Sequence, residues 1–192
     1  MKFFLNIIVI SFLASGCSSF SKKDYDQIKY SIVKSEDNIE IRQYEKYLAA
    51  ETYVEGDRKK APDKAFKILL DYISGDNVQK KNISMTAPVT MVERKMNFWS
   101  MTFMMPENFT LQSLPKPNSD KVSFKMVPER KIAAIIFSGN WSESNFRAKT
   151  KELLAYLKKH GYKINSQEIN TFYNSPFTFP WSRRNEIMFE VQ

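Results

Sequence analysis

Leu48-Ala49-Ala50-Glu51-Thr52-Tyr53-Val54-Glu55-Gly56 is the stretch on which the fold turns. Leu48, Ala50, Thr52 and Val54 recur at every second position, the period of a strand with one face toward a core, and Gly56-Asp57 closes it. Immediately downstream the period changes. Over 63–74, Phe66, Leu69, Leu70 and Ile73 recur at helical spacing, while Lys64, Lys67, Asp71 and Ser74 fall on the opposite side. Asp63 is the expected cap of this helix and Gly75 its stop.

The same succession returns further along the chain. Ile132-Ala133-Ala134 leads to Gly139, and a helix expected from about Ser142 to His160, with Phe146, Leu153, Leu154 and Leu157 inward, ends at Gly161. The offset is about 83 to 86 residues throughout. Any chain that mixes strands and helices yields some coincidences of this kind, whereas a duplicated strand-helix-strand unit accounts for all of them together. The expectation is a pseudo-twofold α+β domain, two helices against a mostly antiparallel sheet. Other strands are expected around Ile32, Ile39 and Ile41, and near 83–93, 96–105, 121–127, 131–138, 162–173 and 185–191. A proline-rich loop falls at 114–118, and another holds Pro176 and Pro180.

Upstream, Lys2 precedes an apolar run from Phe3 to Leu13, which ends in Ala14-Ser15-Gly16-Cys17. A charged start, a short apolar stretch and small residues make a secretion signal. The run is too short for a hydrocarbon core of about 30 Å, which takes roughly 20 apolar residues. Its ending resembles a bacterial lipobox, although Ala14 stands where leucine is usual; the alternative is an ordinary cleaved signal with an incidental cysteine. The lipobox reading makes residues 1–16 a signal peptide and Cys17 the lipid-bearing first residue of a tether, 17–27, ahead of a domain over 28–192. Ser18, in a Gram-negative cell, resembles the pattern sorted to the outer membrane. The expected address is the cell envelope, lipid-anchored on the periplasmic face.

Composition narrows the chemistry. The formal net charge of +8 suits contact with anionic surfaces, lipids or acidic ligands. The basic residues are dispersed and the chain reads as secreted, so nucleic acid is not an expected partner. One cysteine, assigned to lipid, and one histidine, His160, leave no thiol nucleophile, disulfide framework or Cys-rich zinc site. No serine sits in a Gly-x-Ser-x-Gly elbow.

Several segments carry more information than their composition. They are Ile39-Glu40-Ile41-Arg42-Gln43-Tyr44 with Ala50-Glu51-Thr52, Ile83-Ser84-Met85-Thr86-Ala87-Pro88-Val89, Met104-Met105-Pro106 and Leu114-Pro115-x-Pro117-Asn118. Val127-Pro128-Glu129-Arg130-Lys131-Ile132-Ala133 follows, and then Tyr173-x-x-Pro176-x-x-x-Pro180-x-x-Arg183-Arg184-Asn185-Glu186. In this order they resemble the SOUL family of haem-binding proteins, from about Tyr30 to Gln192. The resemblance implies a pseudo-symmetric, curved, barrel-like antiparallel sheet carrying two long helices. It also implies a shallow apolar groove for haem or another tetrapyrrole, beside the first helix and the proline loop, often without an obligatory axial ligand.

Mapped here, that groove would draw on the 63–74 helix and on Ser175 to Arg184. Phe66, Leu70, Phe177, Phe179 and Trp181 would face the flat macrocycle, and Lys64, Lys67, Arg183 and Arg184 would pair with its propionates. Each has a plainer reading: Phe66 and Leu70 as core, and the two arginines as partners of Glu186 or Glu190. His160 is not the expected axial ligand, because a histidine in the last turn of a helix answers the helix dipole. Trp99, Met101, Phe103 and Met105 share one strand face and read as core rather than as thioether ligands; Tyr173 is a remote oxygen donor.

The leading expectation is therefore a monomeric, membrane-tethered binder of non-covalent haem or a related tetrapyrrole, for transport, buffering or scavenging. No metal site and no catalytic residue is assigned. The alternatives are an envelope protein for another amphipathic ligand or a peptide, and a small-molecule hydrolase using a carboxylate such as Glu51 or Glu186 in a cleft.

Overall fold

In the computed structural model, which describes residues 25–175 and 177–192, these periods become eleven strands and two helices. The chain runs through β1 (Asp26–Gln27), β2 (Tyr30–Glu36), β3 (Ile39–Tyr44), β4 (Tyr47–Glu55), α1 (Ala61–Ile73), β5 (Thr86–Ala87), β6 (Val89–Lys95) and β7 (Phe98–Met104). It continues through β8 (Ser123–Val127), β9 (Arg130–Phe137), α2 (Glu143–Lys159), β10 (Ile169–Phe172) and β11 (Asn185–Glu190). Cys17, the signal and the tether as far as residue 24 lie outside the described residues, as does Pro176.

Nine strands form one curled antiparallel sheet in the order β2-β3-β9-β11-β10-β6-β7-β4-β8. The order is a palindrome of two units. β9-α2-β10-β11 stacks its strands as first, third, second; β4-α1-β6-β7 stacks them as second, third, first. The units meet where β10 pairs with β6, with Asn170 opposite Met91 and Phe172 opposite Val89. This is the pseudo-twofold seam that the repeated pattern predicted.

Both helices lie on one face of the sheet. Ala65, Leu69 and Ile73 of α1 pack with Trp99, Met101, Phe103 and Met105, the residues expected as core. Phe146, Leu153 and Leu157 of α2 pack on Ile41, Ile135, Ile187 and Phe189. A third cluster, including Ile28, Tyr44, Ile132 and Met188, fills the other face. Burying a side chain of this size contributes about 1.5–3 kcal/mol. All three clusters are built from residues 28 to 191, so a fragment starting at Tyr25 carries the whole core.

The ends of elements depart from the periodic reading. α1 starts at Ala61 rather than 63, and Asp63 does not cap it. Asp57 instead fixes the turn that leads into the helix, its Oδ1 accepting from the backbone N–H groups of Lys59 and Lys60 at 2.9 Å. Leu154 sits half-exposed on the flank of α2, because its neighbour Leu153 takes the sheet-facing position. The stretch expected at 83–93 is divided at the cis Ala87–Pro88 peptide, with β5 leaving the main sheet to pair in parallel with β1. Only Ile169–Phe172 of the expected 162–173 strand is paired as a strand in the sheet. Gly139, at φ +114°, opens α2; a Cβ there would stand 2.9 Å from the Asn145 amide.

Candidate functional site

The palindrome leaves α1 and α2 apart above the β10–β6 seam, and the gap between them is a groove of about 920 Å³. That is the size of pockets that enclose drug-sized ligands, roughly 300–1,000 Å³. Val89 and Met91 of β6, Asn170 and Phe172 of β10, and Trp99 and Met101 of β7 make the floor. Pro62, Asp63, Phe66 and Leu70 of α1 form one wall; Trp141, Ser142, Glu143 and Phe146 at the start of α2 form the other. Tyr25, Met85 to Ala87 and Tyr173 to Ser175, with Phe177, complete the lining, and Arg58 and Lys59 supply two exposed cations.

The α1 stripe is thus divided. Leu69 and Ile73 enter the core, whereas Phe66 and Leu70, one helical step round, turn to the groove. The aromatic surface is held in place by contacts below it. Phe66 packs on Phe103 at a centroid distance of 5.4 Å, Trp141 stands edge-on to Phe172 at 5.1 Å, and Trp141 Nε1 donates to Asn185 Oδ1 at 2.7 Å. Arg58 lies 5.6 Å from the Trp99 ring and Arg183 lies 4.6 Å from the Trp141 ring, both cation-π arrangements.

Asn170 is the polar exception on the floor. It is 5 % exposed, and its Oδ1 accepts no hydrogen bond among the described residues. A buried acceptor without a partner costs about 1–3 kcal/mol, and such atoms are rare enough to call for an explanation.

Of the residues expected at the site, Phe66, Leu70 and Phe177 line the groove. Phe179 and Trp181 do not; they stack on each other, 4.8 Å apart and 9° from parallel, facing outward. Lys64 is exposed on α1, and Lys67 is held by Asp71 at 2.8 Å; neither lines the groove. Arg184 reaches Glu186 at 2.5 Å, the strand-fixing role weighed above, whereas Arg183 pairs with neither glutamate and donates from Nε to the Thr178 carbonyl at 2.8 Å. The pattern alone did not pick out Tyr25, Arg58, Lys59, Trp141 or Asn170. The one local signal for Asn170 was a residue of low strand propensity inside a strand.

The carboxylates with buried side chains are engaged elsewhere. Glu186 receives Arg42, Arg184 and the Tyr173 hydroxyl, the last at 3.1 Å. Glu51 takes Lys125 at 2.5 Å and Tyr53 at 2.7 Å. Burial alone would raise the Glu51 pKa, but the Lys125 ammonium and the Tyr53 hydroxyl beside it bring it below the usual carboxylate value. Burial pushes the Tyr173 phenol well up, which keeps the group protonated and donating to Glu186.

His160 caps the far end of α2, with its ring 4.3 Å from Tyr156 and its Nε2 3.8 Å from Glu36. The groove takes the first turns of that helix, roughly 20 Å away at 1.5 Å per residue. No group of three or more His, Cys, Asp or Glu that could hold a metal ion occurs among the described residues. Met85, Met91, Met101 and Tyr173 are the groove's own soft or oxygen donors.

The chain matches the family model described as SOUL heme-binding protein over residues 25–190. No curated protein sequence matches it. Among solved structures it is similar to the C-terminal domain of EcmrR, with a TM-score of 0.63 and 13% identity, covering 85% of this chain and 98% of that one. It is also similar to a hydrolase from Listeria innocua, with a TM-score of 0.59 and 11% identity over 83% of this chain and 94% of that one. An uncharacterized conserved protein from the same organism gives a TM-score of 0.59 at 13% identity, over 81% and 92%. At these identities the likeness is one of fold.

Proposed function

The chain belongs to the SOUL heme-binding protein family, and on that premise we propose that it holds haem or a related tetrapyrrole as cargo in the groove between α1 and α2. The observation that carries this reading is the groove itself. It joins an apolar and aromatic floor to the paired cations Arg58 and Lys59, the combination that a flat macrocycle with two carboxylates requires. Phe66, Leu70, Trp141 and Phe172 would contact the ring, and Arg58 and Lys59 the propionates. A bound haem would bring its iron as cargo.

Binding is favoured over catalysis because Glu51 and Glu186, the carboxylates with buried side chains, are both engaged in ion pairs. A small amphipathic ligand is favoured over a peptide strand because the groove lies over the central β10–β6 seam, away from the sheet edges β2 and β8. We further propose that residues 1–16 direct secretion and that Cys17 carries the lipid, which would place the groove at the envelope membrane for transport, buffering or scavenging.

Titration of a fragment covering residues 25–192 with haemin tests the site. A shifted, saturable Soret band is expected; a spectrum equal to free haemin plus inert protein overturns the reading. Fatty-acid incorporation that survives Cys17→Ser would overturn the anchor.

A further inference from the structure

Phe177, Phe179 and Trp181 lie within five residues and are 96%, 66% and 72% exposed. The loop that carries them is built rather than slack. Thr178 N–H donates to the Ser175 carbonyl at 3.0 Å, Ser182 N–H to Phe179 at 2.9 Å, and Gly139 N–H, from the approach to α2, to Pro180 at 2.8 Å. The Arg183 guanidinium closes it onto Thr178, and Arg184 N–H donates to Asn174 Oδ1 at 2.6 Å. Its backbone donors and the Arg183 guanidinium are engaged within the fold, while the three rings face outward. A preformed apolar projection loses little conformational freedom when something covers it.

We propose that the 175–182 loop docks on an anionic lipid bilayer, seating Phe177, Phe179 and Trp181 in the interfacial region so that the groove opens toward lipid. Two observations choose a bilayer as the occupant. Three rings of about 150–250 Å² each fall short of the roughly 800 Å² per partner that a standard protein interface buries, whereas aromatic side chains favour the headgroup level of membranes. Phe177 also shares the groove lining with the exposed Arg58 and Lys59 and with the carboxylates of Asp63 and Glu143, the latter paired with Arg147, on a chain of net charge +8, so a net positive charge accompanies the apolar projection. Basic residues beside an anionic surface and apolar side chains in the interface reinforce one another. Docked this way, an amphipathic ligand would pass between bilayer and groove past Phe177 without entering bulk water. The loop requires neither the lipid on Cys17 nor a bound tetrapyrrole for this.

The test is partition of the 25–192 fragment onto vesicles of phosphatidylcholine with phosphatidylglycerol, against vesicles of phosphatidylcholine alone. Binding to the anionic vesicles is expected, weakening with salt. The triple variant Phe177→Ser, Phe179→Ser, Trp181→Ser should lose about tenfold or more in partition, since full burial of one such side chain is already worth that factor, with an unchanged thermal melt. In a second variant, Trp181→Phe, partition should persist while quenching of tryptophan fluorescence by chain-brominated lipid falls away. Equal partition of the triple variant, no binding to anionic vesicles, or bromolipid quenching that Trp181→Phe does not reduce overturns the proposal. So does self-association that the triple variant abolishes without any vesicle binding. Haemin titration without vesicles reads the groove separately, so either result can fail alone.

Discussion

Arg42 Nη1 and Glu186 Oε2 lie 2.7 Å apart with neither side chain exposed, although 144 positions separate them in the chain. The pair is bidentate, with Nη2 to Oε1 at 3.0 Å, and it ties β3 to β11 across the intervening β9. Glu40, Tyr44, Tyr173 and Arg184 satisfy the remaining donors and acceptors. Burial, aided by the Glu186 carboxylate and opposed by the Arg42 guanidinium, pushes the Tyr44 phenol up to about 12, which keeps it neutral in this cluster.

Removing Arg42 takes the bidentate partner from a fully buried carboxylate and leaves Glu186 to Arg184 and the Tyr173 hydroxyl alone. Arg42→Met should therefore lower stability by about 3–5 kcal/mol, measured by urea unfolding of the 25–192 fragment. Arg42→Met with Glu186→Leu should recover part of that loss, because no buried carboxylate is then stranded. A single variant within 1 kcal/mol of the parent would show the pair to be marginal.

Leu70 lines the groove from a half-exposed position, so Leu70→Glu should leave the fold intact and place a charge against the porphyrin face. Haemin affinity should fall by about tenfold or more, the equivalent of roughly 1.4 kcal/mol. Lys64→Ala, on the same helix but outside the lining, should change affinity less than twofold or so.

His160→Ala should leave the haemin Soret band and affinity unaltered. Its imidazole stands against Tyr156 and Glu36 at the end of α2 opposite the groove. Loss of a shifted band in this variant would relocate the site.

Asn170→Leu replaces a buried, unpartnered carbonyl oxygen with a hydrocarbon of similar size. The unliganded fragment should gain on the order of 1 kcal/mol, read as a higher Tm. A lower Tm would mean that Asn170 is satisfied by something built into the fold.

Glu51 titrates below its ordinary value of 4.5, so between the two values the unfolded chain binds more protons than the folded one. Its contribution is fully present above about pH 4.5 and is lost as the pH falls through the lower, folded value. Lys125→Met removes a principal cause of the shift and should narrow the difference between urea midpoints at about pH 6 and about pH 3.5. An unchanged difference would assign the acid sensitivity to other carboxylates.

The strand at 48–54, the two helices and the buried face of Trp99, Met101, Phe103 and Met105 were legible in the sequence, because each is a period of 2 or 3.6 written in neighbouring residues. The repeat of that pattern predicted two helices over one sheet. The division of the α1 stripe was not legible. Periodicity marks a helix face as apolar, but whether Leu69 meets the sheet and Leu70 a groove depends on how far away the next helix lies. Arg183 and Arg184 were recognisable as a motif, while their turn toward Thr178 and Glu186 depended on backbone geometry that a motif does not carry.

By itself the sequence determined the class of fold and the family, since local periodicity and ordered motifs are properties of adjacent residues. Only the tertiary structure decided where the site lies. Arg58, Phe66, Trp141 and Asn170 come together because β10 pairs with β6 and joins the two halves of the chain. The same pairing carries the 175–182 loop to the groove and leaves its rings facing out. Such contacts are set by long-range register and by the space between two helices, and no window of sequence contains either.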